Sequence, residues 1–292
     1  MLTTTPIAPA MAARVTGLDI AAGVTAAESA ALREALARYQ VLVIPGQNVT
    51  DDAQIAFSEG FGALETTRAG ADGAGSKVIV LTNIGPDGSI AAPSARQVLN
   101  NRANQSWHHD SSFKPVPAGA SILSAREIPS RGGNTEFASM RAAFAALDPA
   151  EQARLRRLVA IHDFTWSRRR VDPTMVTDAE SAANPPVRQP VVRDENPHGP
   201  VLYLGAHARE IEGMDAAEGR SLIERLVAFA GQPQFTYAHR WEAGDMLVWD
   251  NRAVMHRATP FAGTGERRRM VRTTVAGTPI SGSPIAGGGV QY

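Results

Sequence analysis

Residues 244–258 read GDMLVWDNRAVMHRA: a short apolar run, an Asp-Asn break, and a histidine a few positions on. The run at 246–249 is rich in β-formers and follows a Gly-Asp pair, so it reads as a buried strand. His256 stands just beyond it, where a rigid element can hold a side chain in place for ligation.

The same texture recurs along the chain. VLVIPG (41–46), KVIVLTNI (77–84), GASILSAREI (119–128), NTEFAS (134–139), RQPVVR (188–193), VLYLG (201–205), QFTYAH (234–239) and RMVRTTVAG (269–277) are short and rich in β-formers, with Gly or Pro near many of them. Three helices stand among them. Thr25 and Glu28 make a capping box ahead of Leu32, Ala35, Leu36 and Tyr39 at helical spacing. Thr50 caps a second, with Phe57 and Phe61 one turn apart, and Asp215 and Glu218 open a third, with Leu222, Ile223, Leu226 and Val227 on its apolar face. Many strands with few helices predict a mostly β fold, a sandwich or jelly roll with α additions, as one domain over 1–292. Two stretches, 64–76 (Gly-rich) and 166–200 (RRR, paired prolines, little periodicity), read as loops.

Composition narrows the function. The chain has 292 residues, 43% apolar and 20% charged, with a formal net charge of zero. That charge offers no footprint for nucleic acid or an anionic membrane, and a small molecule in a pocket is the expected partner. There are no cysteines, which removes thiolate nucleophiles, zinc ribbons and iron–sulfur clusters. The first twenty residues lack a basic n-region and an apolar h-region, and no run approaches a membrane span, so the cytoplasm is the expected location.

The chemistry centres on NQSWHHDSSF, residues 104–113. Read as extended chain, SWHHDSS puts His108 and Asp110 on one face and Trp107, His109 and Ser111 on the other. A His and a carboxylate two residues apart are two-thirds of a 2-His-1-carboxylate facial triad, and His256 is the expected third ligand. His109 is expected to pack or support. Downstream, on an extended 267–272, Arg268 and Arg272 point the same way with Met270 between them. An inward guanidinium requires an anionic partner and matches a dicarboxylate, while Arg267 and Arg269 are expected in solvent.

With these motifs in hand, the chain resembles the Fe(II)/2-oxoglutarate-dependent dioxygenases of the taurine and 2,4-dichlorophenoxyacetate dioxygenase (TauD/TfdA) family. The likeness runs from AARVTGLDI (12–20) and VLVIPGQNVTDDAQIAFSEGFG (41–62) through SWHHDSSF and PSRGGNTEFASMRAAF (129–144) to GDMLVWDNRAVMHRA and ERRRMVRTTVAG (266–277). GAHAREIEGMDAAE (205–218) is similar to the phenoxyalkanoate-herbicide branch. The resemblance implies a double-stranded β-helix with outer helices, Fe(II) on His108, Asp110 and His256, and consumption of 2-oxoglutarate and O₂. It further implies that Arg268 and Thr135 hold the distal carboxylate of 2-oxoglutarate and that Arg272 binds the acidic group of a small anionic substrate. Asn104 falls where some members touch substrate or cosubstrate, and Trp249 and Asp250 belong to a supporting WDNR block. Self-association is common in the family, so a homo-oligomer is expected. The text ENPHGP (195–200) departs from the family's usual His-Pro-x-Thr-Gly turn.

The implied reaction is hydroxylation, with ether cleavage where the target carbon bears an aryloxy group; a sulfonate, sulfate ester or amino-acid-like substrate is the alternative. Readings from other classes are weaker. A zinc hydrolase lacks a His-Glu-x-x-His helix and gives Arg268 and Thr135 no task, a non-catalytic jelly-roll binder has no need of three ligands, and GADGAGSK (70–77) has its serine on the wrong side of the lysine for a P-loop.

Overall fold

The computed structural model describes residues 1–67, 75–261 and 265–278. Its largest sheet has seven strands in the spatial order Thr3–Pro6, Ala13–Thr16, Val41–Ile44, Met246–Asp250, Ala118–Glu127, Arg269–Ala276 and Val78–Thr82. Pairing is antiparallel except where Ala13–Thr16 runs parallel to Val41–Ile44. The MLVW run lies in its middle, and every residue of Met246–Asp250 is buried, as a strand covered on both faces must be.

A smaller sheet, Thr236–His239, Thr135–Ser139 and Val254–Ala258, faces the first. Between them lies one apolar cluster built from Val41, Leu123, Leu247, Trp249 and Met270 on one side and Phe137 and Val254 on the other. Outside the large sheet pack the helices Ala26–Tyr39 and Asp51–Glu59, which contribute Leu32, Leu36 and Phe57 to a second cluster. Outside the small sheet, helix Ala216–Ala230 closes a third cluster through Leu222, Ile223 and Leu226. The result is helix, sheet, sheet, helix, with the polar site at the inter-sheet layer.

The three expected helices are present with the expected caps, including the Thr25–Glu28 box. The segment 166–200 corrects the expectation of a loop. It holds most of the helix Phe164–Arg169 and the helix Asp178–Ala183 with its own Thr177–Glu180 capping box, while the strands Val187–Pro190 and Val192–Arg193 cover the RQPVVR run expected to be extended. Both helices have six residues, too short to show a periodic apolar stripe in the sequence. Of the other expected loop, residues 68–74 lie outside the described residues, as does most of the GADGAGSK stretch. ENPHGP forms a tight turn, with the Asn196 side chain accepting from His198 N at 3.0 Å. Among the described residues no helix is long and apolar enough to cross a membrane.

Candidate active site

His108 and His256 are far apart in sequence but form an antiparallel bridge. His108 N donates to His256 O at 3.0 Å and His256 N returns the bond to His108 O at 2.9 Å. Residues that exchange both backbone bonds project side chains to one face, and the two imidazoles stand 4.2 Å apart between centroids. A glycine backs this ligand segment. At Gly205, with φ +156°, a Cβ would sit 3.0 Å from Trp107 O and 3.2 Å from the His108 Cα, so a larger residue would push the ligand segment away.

Asp110 follows on the same side. The extended reading holds through His109 and stops at Asp110, where a turn begins and Ser111 takes a left-handed φ of 55°. Ser111 Oγ and Lys114 Nζ both donate to Glu65, at 2.9 and 2.6 Å, which pins this turn. Asp110 lies 3.9 Å from His108 Nε2 through Oδ1 and 3.7 Å from His256 Nε2 through Oδ2. One ligand atom from each of the three lies within 4.8 Å of the others, and all three residues are buried. Two imidazoles and a carboxylate so placed suit a divalent transition metal with coordination positions left open. His108 Nδ1 donates to Ser106 O at 2.8 Å, leaving the Nε2 lone pair for a cation.

Burial lowers the pKa of His108, against the opposing pull of Asp110, and lowers that of His256 well below the ordinary value. Both rings are therefore neutral near neutral pH, as ligation requires. For Asp110, burial pushes the carboxyl up, but Arg272, His256 and His108 outweigh it and hold the group below the usual carboxylate range. Arg272 is the nearest cause: its Nη1 donates to Asp110 Oδ1 at 2.6 Å.

Arg268 is 4% exposed, and no carboxylate among the described residues pairs with it. Its Nη2 reaches Gly133 O at 3.4 Å, its Nε has no partner, and burial alone takes its pKa down to about 10. The backbone is fixed, with Arg268 N donating to Asn83 Oδ1 at 2.8 Å and Thr82 Oγ1 donating to Arg268 O at 2.8 Å. Gly133, at φ +67°, leaves room for the guanidinium, since a Cβ there would stand 3.2 Å from Arg268 Nε. A desolvated guanidinium with so little compensation is a site waiting for an anion.

That guanidinium, Thr135, His108 and His256 line one cavity of about 40 Å³. Thr135 Oγ1 is held by Trp241 Nε1 at 3.0 Å. A wider cavity of about 440 Å³ adjoins, lined by Asp110, Phe113, Phe164, Arg168 and His207 among others. Asn104, His108 and Arg272 line both. Every residue expected in the site thus borders one or both cavities. Arg267 and Arg269 are exposed as expected, although Arg267 pairs with Glu127 at 2.7 Å.

His207 is a pocket-wall histidine, whereas nothing in the sequence marks Phe113 and Phe164 as its neighbours. Phe113, Phe164 and His207 form an aromatic wall, with ring centroids 4.8 Å apart for the phenylalanines and 4.9 Å for Phe113 and His207. His207 is held through Nδ1 by Ser167 Oγ at 2.8 Å. His109 packs on Tyr203, with ring centroids 4.5 Å apart, and is not one of the three clustered ligand residues. Asp250 does not reach the triad. It closes the turn after its strand by bonding Arg252 Nε at 2.8 Å.

A family profile described as taurine catabolism dioxygenase TauD, TfdA family, matches residues 3–274. The chain belongs to the TauD/TfdA family. It is 38% identical over 275 residues to the alpha-ketoglutarate-dependent 2,4-dichlorophenoxyacetate dioxygenase of Cupriavidus pinatubonensis, covering 92% of this chain and 96% of that one. It is 36% identical over 269 residues to the (S)-phenoxypropionate/alpha-ketoglutarate-dioxygenase of Delftia acidovorans, covering 88% and 89%. The crystal structure of AAD-2 in complex with Mn(II) and N-oxalylglycine superimposes with a TM-score of 0.88 at 39% identity, covering 96% of this chain and 98% of that one.

The buried histidines also set a pH limit. Burial lowers the pKa of His109 and His162 to about 3, and that of His207 well below its ordinary value. An unfolded chain takes up protons near 6.5 that the folded chain refuses until far lower pH. The contribution of His109 and His162 is therefore complete above about pH 6.5 and is lost as pH falls toward about 3, at up to roughly 1.4 kcal/mol per pH unit for each group, and His207 acts in the same direction. Thermal melting of the metal-free protein is expected to drop steadily between about pH 7 and about pH 5; a flat profile would contradict this.

Proposed function

We propose that this chain is an Fe(II)/2-oxoglutarate-dependent dioxygenase acting on a small anionic organic acid, with a hydroxylated or ether-cleaved product. The observation that carries the reading is the shared cavity: two of the three metal-type ligands line it at one end, and the uncompensated Arg268 guanidinium lines it with Thr135. A ferrous ion on His108, Asp110 and His256 would supply O₂ activation, drawing on 2-oxoglutarate as co-reductant, for oxidation of a substrate C–H bond.

The protein's own part is placement. Arg268 and Thr135 grip the distal carboxylate of 2-oxoglutarate, which orients its keto acid end toward the triad. Trp249 and Leu123, also on the cavity wall, exclude water. On the other side Arg272 borders the wider cavity and still has a buried Nε without a partner, which suits it to anchor a substrate anion. Asn104 sits where the two cavities meet. Phe113 and Phe164 offer flat apolar surface for an aryl group, and the relatives named above act on aryloxyalkanoates by their names. Oxidation at a carbon bearing an ether oxygen gives a hemiacetal, which splits into a phenol and a carbonyl acid. A sulfate ester is the second substrate class, after the 31% identical alpha-ketoglutarate-dependent sulfate ester dioxygenase of Pseudomonas putida.

The facing sheets are read as a double-stranded β-helix, forming one TauD/TfdA-like domain over 1–292 in a cytoplasmic homo-oligomer. The decisive experiment is an anaerobic titration with Fe(II) and 2-oxoglutarate, watching for the weak visible charge-transfer band of a chelated keto acid. Opened to air with a panel of carboxylates, sulfonates and sulfates, the same preparation reports succinate coupled to substrate. Absence of the band, with no succinate on any substrate, counts against the reading. Replacement of Arg272 by alanine is expected to raise KM for an acidic substrate about 10- to 100-fold, the worth of a charge-assisted contact, and to raise KM for 2-oxoglutarate much less. Equal changes would take the anchor role away from Arg272.

A further inference from the structure

Within the WDNR block, Asn251 bonds directly to the segment that carries His108 and Asp110. Asn251 is completely buried at the end of its strand, 0% exposed. Its Oδ1 accepts two N–H groups, Trp249 Nε1 at 2.9 Å and Asp110 N at 3.3 Å. Both are donors only, so the amide orientation is determined by its partners, and Nδ2 must face the other way. There it donates to Ser121 Oγ at 2.8 Å. Ser121 is likewise 0% exposed and stands 2.8 Å from Asp110 Oδ2. A hydroxyl that accepts from an amide has its single proton to give elsewhere, and the carboxylate oxygen is the acceptor in reach.

We infer that Asn251 and Ser121 form a directional relay that positions the Asp110 carboxylate for metal binding. The proposal rests on the metal-centre reading above and assigns a role to residues outside it. The amide fixes the serine proton, and the serine proton fixes Oδ2. Arg272 holds Oδ1 from the other side, so the carboxylate cannot swing about its Cβ–Cγ bond. The main chain takes part as well: His109 Nδ1 donates to Asn251 O at 2.8 Å. Asn251 therefore grips both residues that follow His108 in the ligand segment, and it does so from the same turn that leads to His256.

The test is Co(II) binding to the purified, metal-free full chain, read anaerobically by its visible d–d absorption. Ser121→Ala removes one hydroxyl at nearly unchanged volume and is expected to raise the Co(II) Kd about 10- to 100-fold, the usual cost of losing an outer partner of a ligand. Ser124→Ala is the control. Ser124 lies on the same strand, is 1% exposed and donates to Gln54 Oε1 at 2.6 Å, with no link to Asp110. It is expected to lower the melting temperature without moving the Co(II) Kd or the spectrum. Asn251→Ala should weaken Co(II) at least as much as Ser121→Ala. If it fails to fold, the serine pair still decides. Equal Kd values for Ser121→Ala and Ser124→Ala overturn the relay alone. A wild-type chain that takes up no Co(II) overturns the metal-centre reading and the relay with it.

Discussion

Replacing His256 with alanine is expected to abolish Fe(II) retention and to lower turnover by on the order of a thousandfold or more. Losing an outer partner of a ligand costs about 10- to 100-fold in affinity, and losing the ligand itself must cost more. The fold should survive, because the bond pair between residues 108 and 256 belongs to the backbone and alanine keeps it. Trp249, whose ring lies 4.7 Å from that of His256, would line the hole that remains. An anaerobic Fe(II) titration with far-ultraviolet circular dichroism on the same sample separates the two effects. Native-like ellipticity with metal affinity lost is the expected pair; unchanged Fe(II) affinity would remove His256 from the metal centre.

Arg268→Met is the second large effect, and it changes sign between function and stability. Truncating one partner of a buried charge pair costs about 2–5 kcal/mol, so the variant should bind 2-oxoglutarate roughly 30- to several-thousand-fold more weakly. In the free protein the same guanidinium is buried with one long hydrogen bond, to Gly133 O at 3.4 Å, and the Phe261 ring 5.3 Å away, and its pKa has dropped to about 10 from desolvation alone. That is a cost the folded state carries until an anion arrives. A methionine of similar length, placed beside Phe261 and Leu123 in the cavity lining, should raise the melting temperature of the ligand-free protein by a few degrees, about 1 kcal/mol or more. A KM for 2-oxoglutarate equal to that of wild type would dismiss Arg268 as the cosubstrate clamp. A lower ligand-free melting temperature would contradict only the stability half.

What could be read in advance followed physical legibility. Strands such as 246–249 and 119–128 announce themselves because apolar β-formers end at Gly or Asp breaks. The helices at 26–39 and 216–230 do so because fourteen and fifteen residues give an apolar face time to repeat. The helices Phe164–Arg169 and Asp178–Ala183 offer under two turns each, and only the Thr177–Glu180 capping box could have disclosed one of them. In the site, His108 and Asp110 are legible from their His-x-Asp spacing, although the extended chain ends at Asp110, and Arg268 from strand alternation together with the family motif. The pairing of His108 with His256 was not, since register between distant segments is a property of the assembled sheets. Ser121 was hidden for the same reason: nothing in GASILSAREI marks one serine as facing a carboxylate and the next as facing Gln54.

The reciprocal bond pair between the two ligand histidines has a consequence for handling the protein. Each amide proton is shielded by the other residue's carbonyl, so these two positions can exchange with deuterium only when the facing segments separate. The pocket is accordingly built by the sheets and not by its ion, unlike small domains that collapse only around zinc. Stripping with a chelator should leave a fully folded chain, and simple dialysis against a ferrous salt should recharge it without a refolding step.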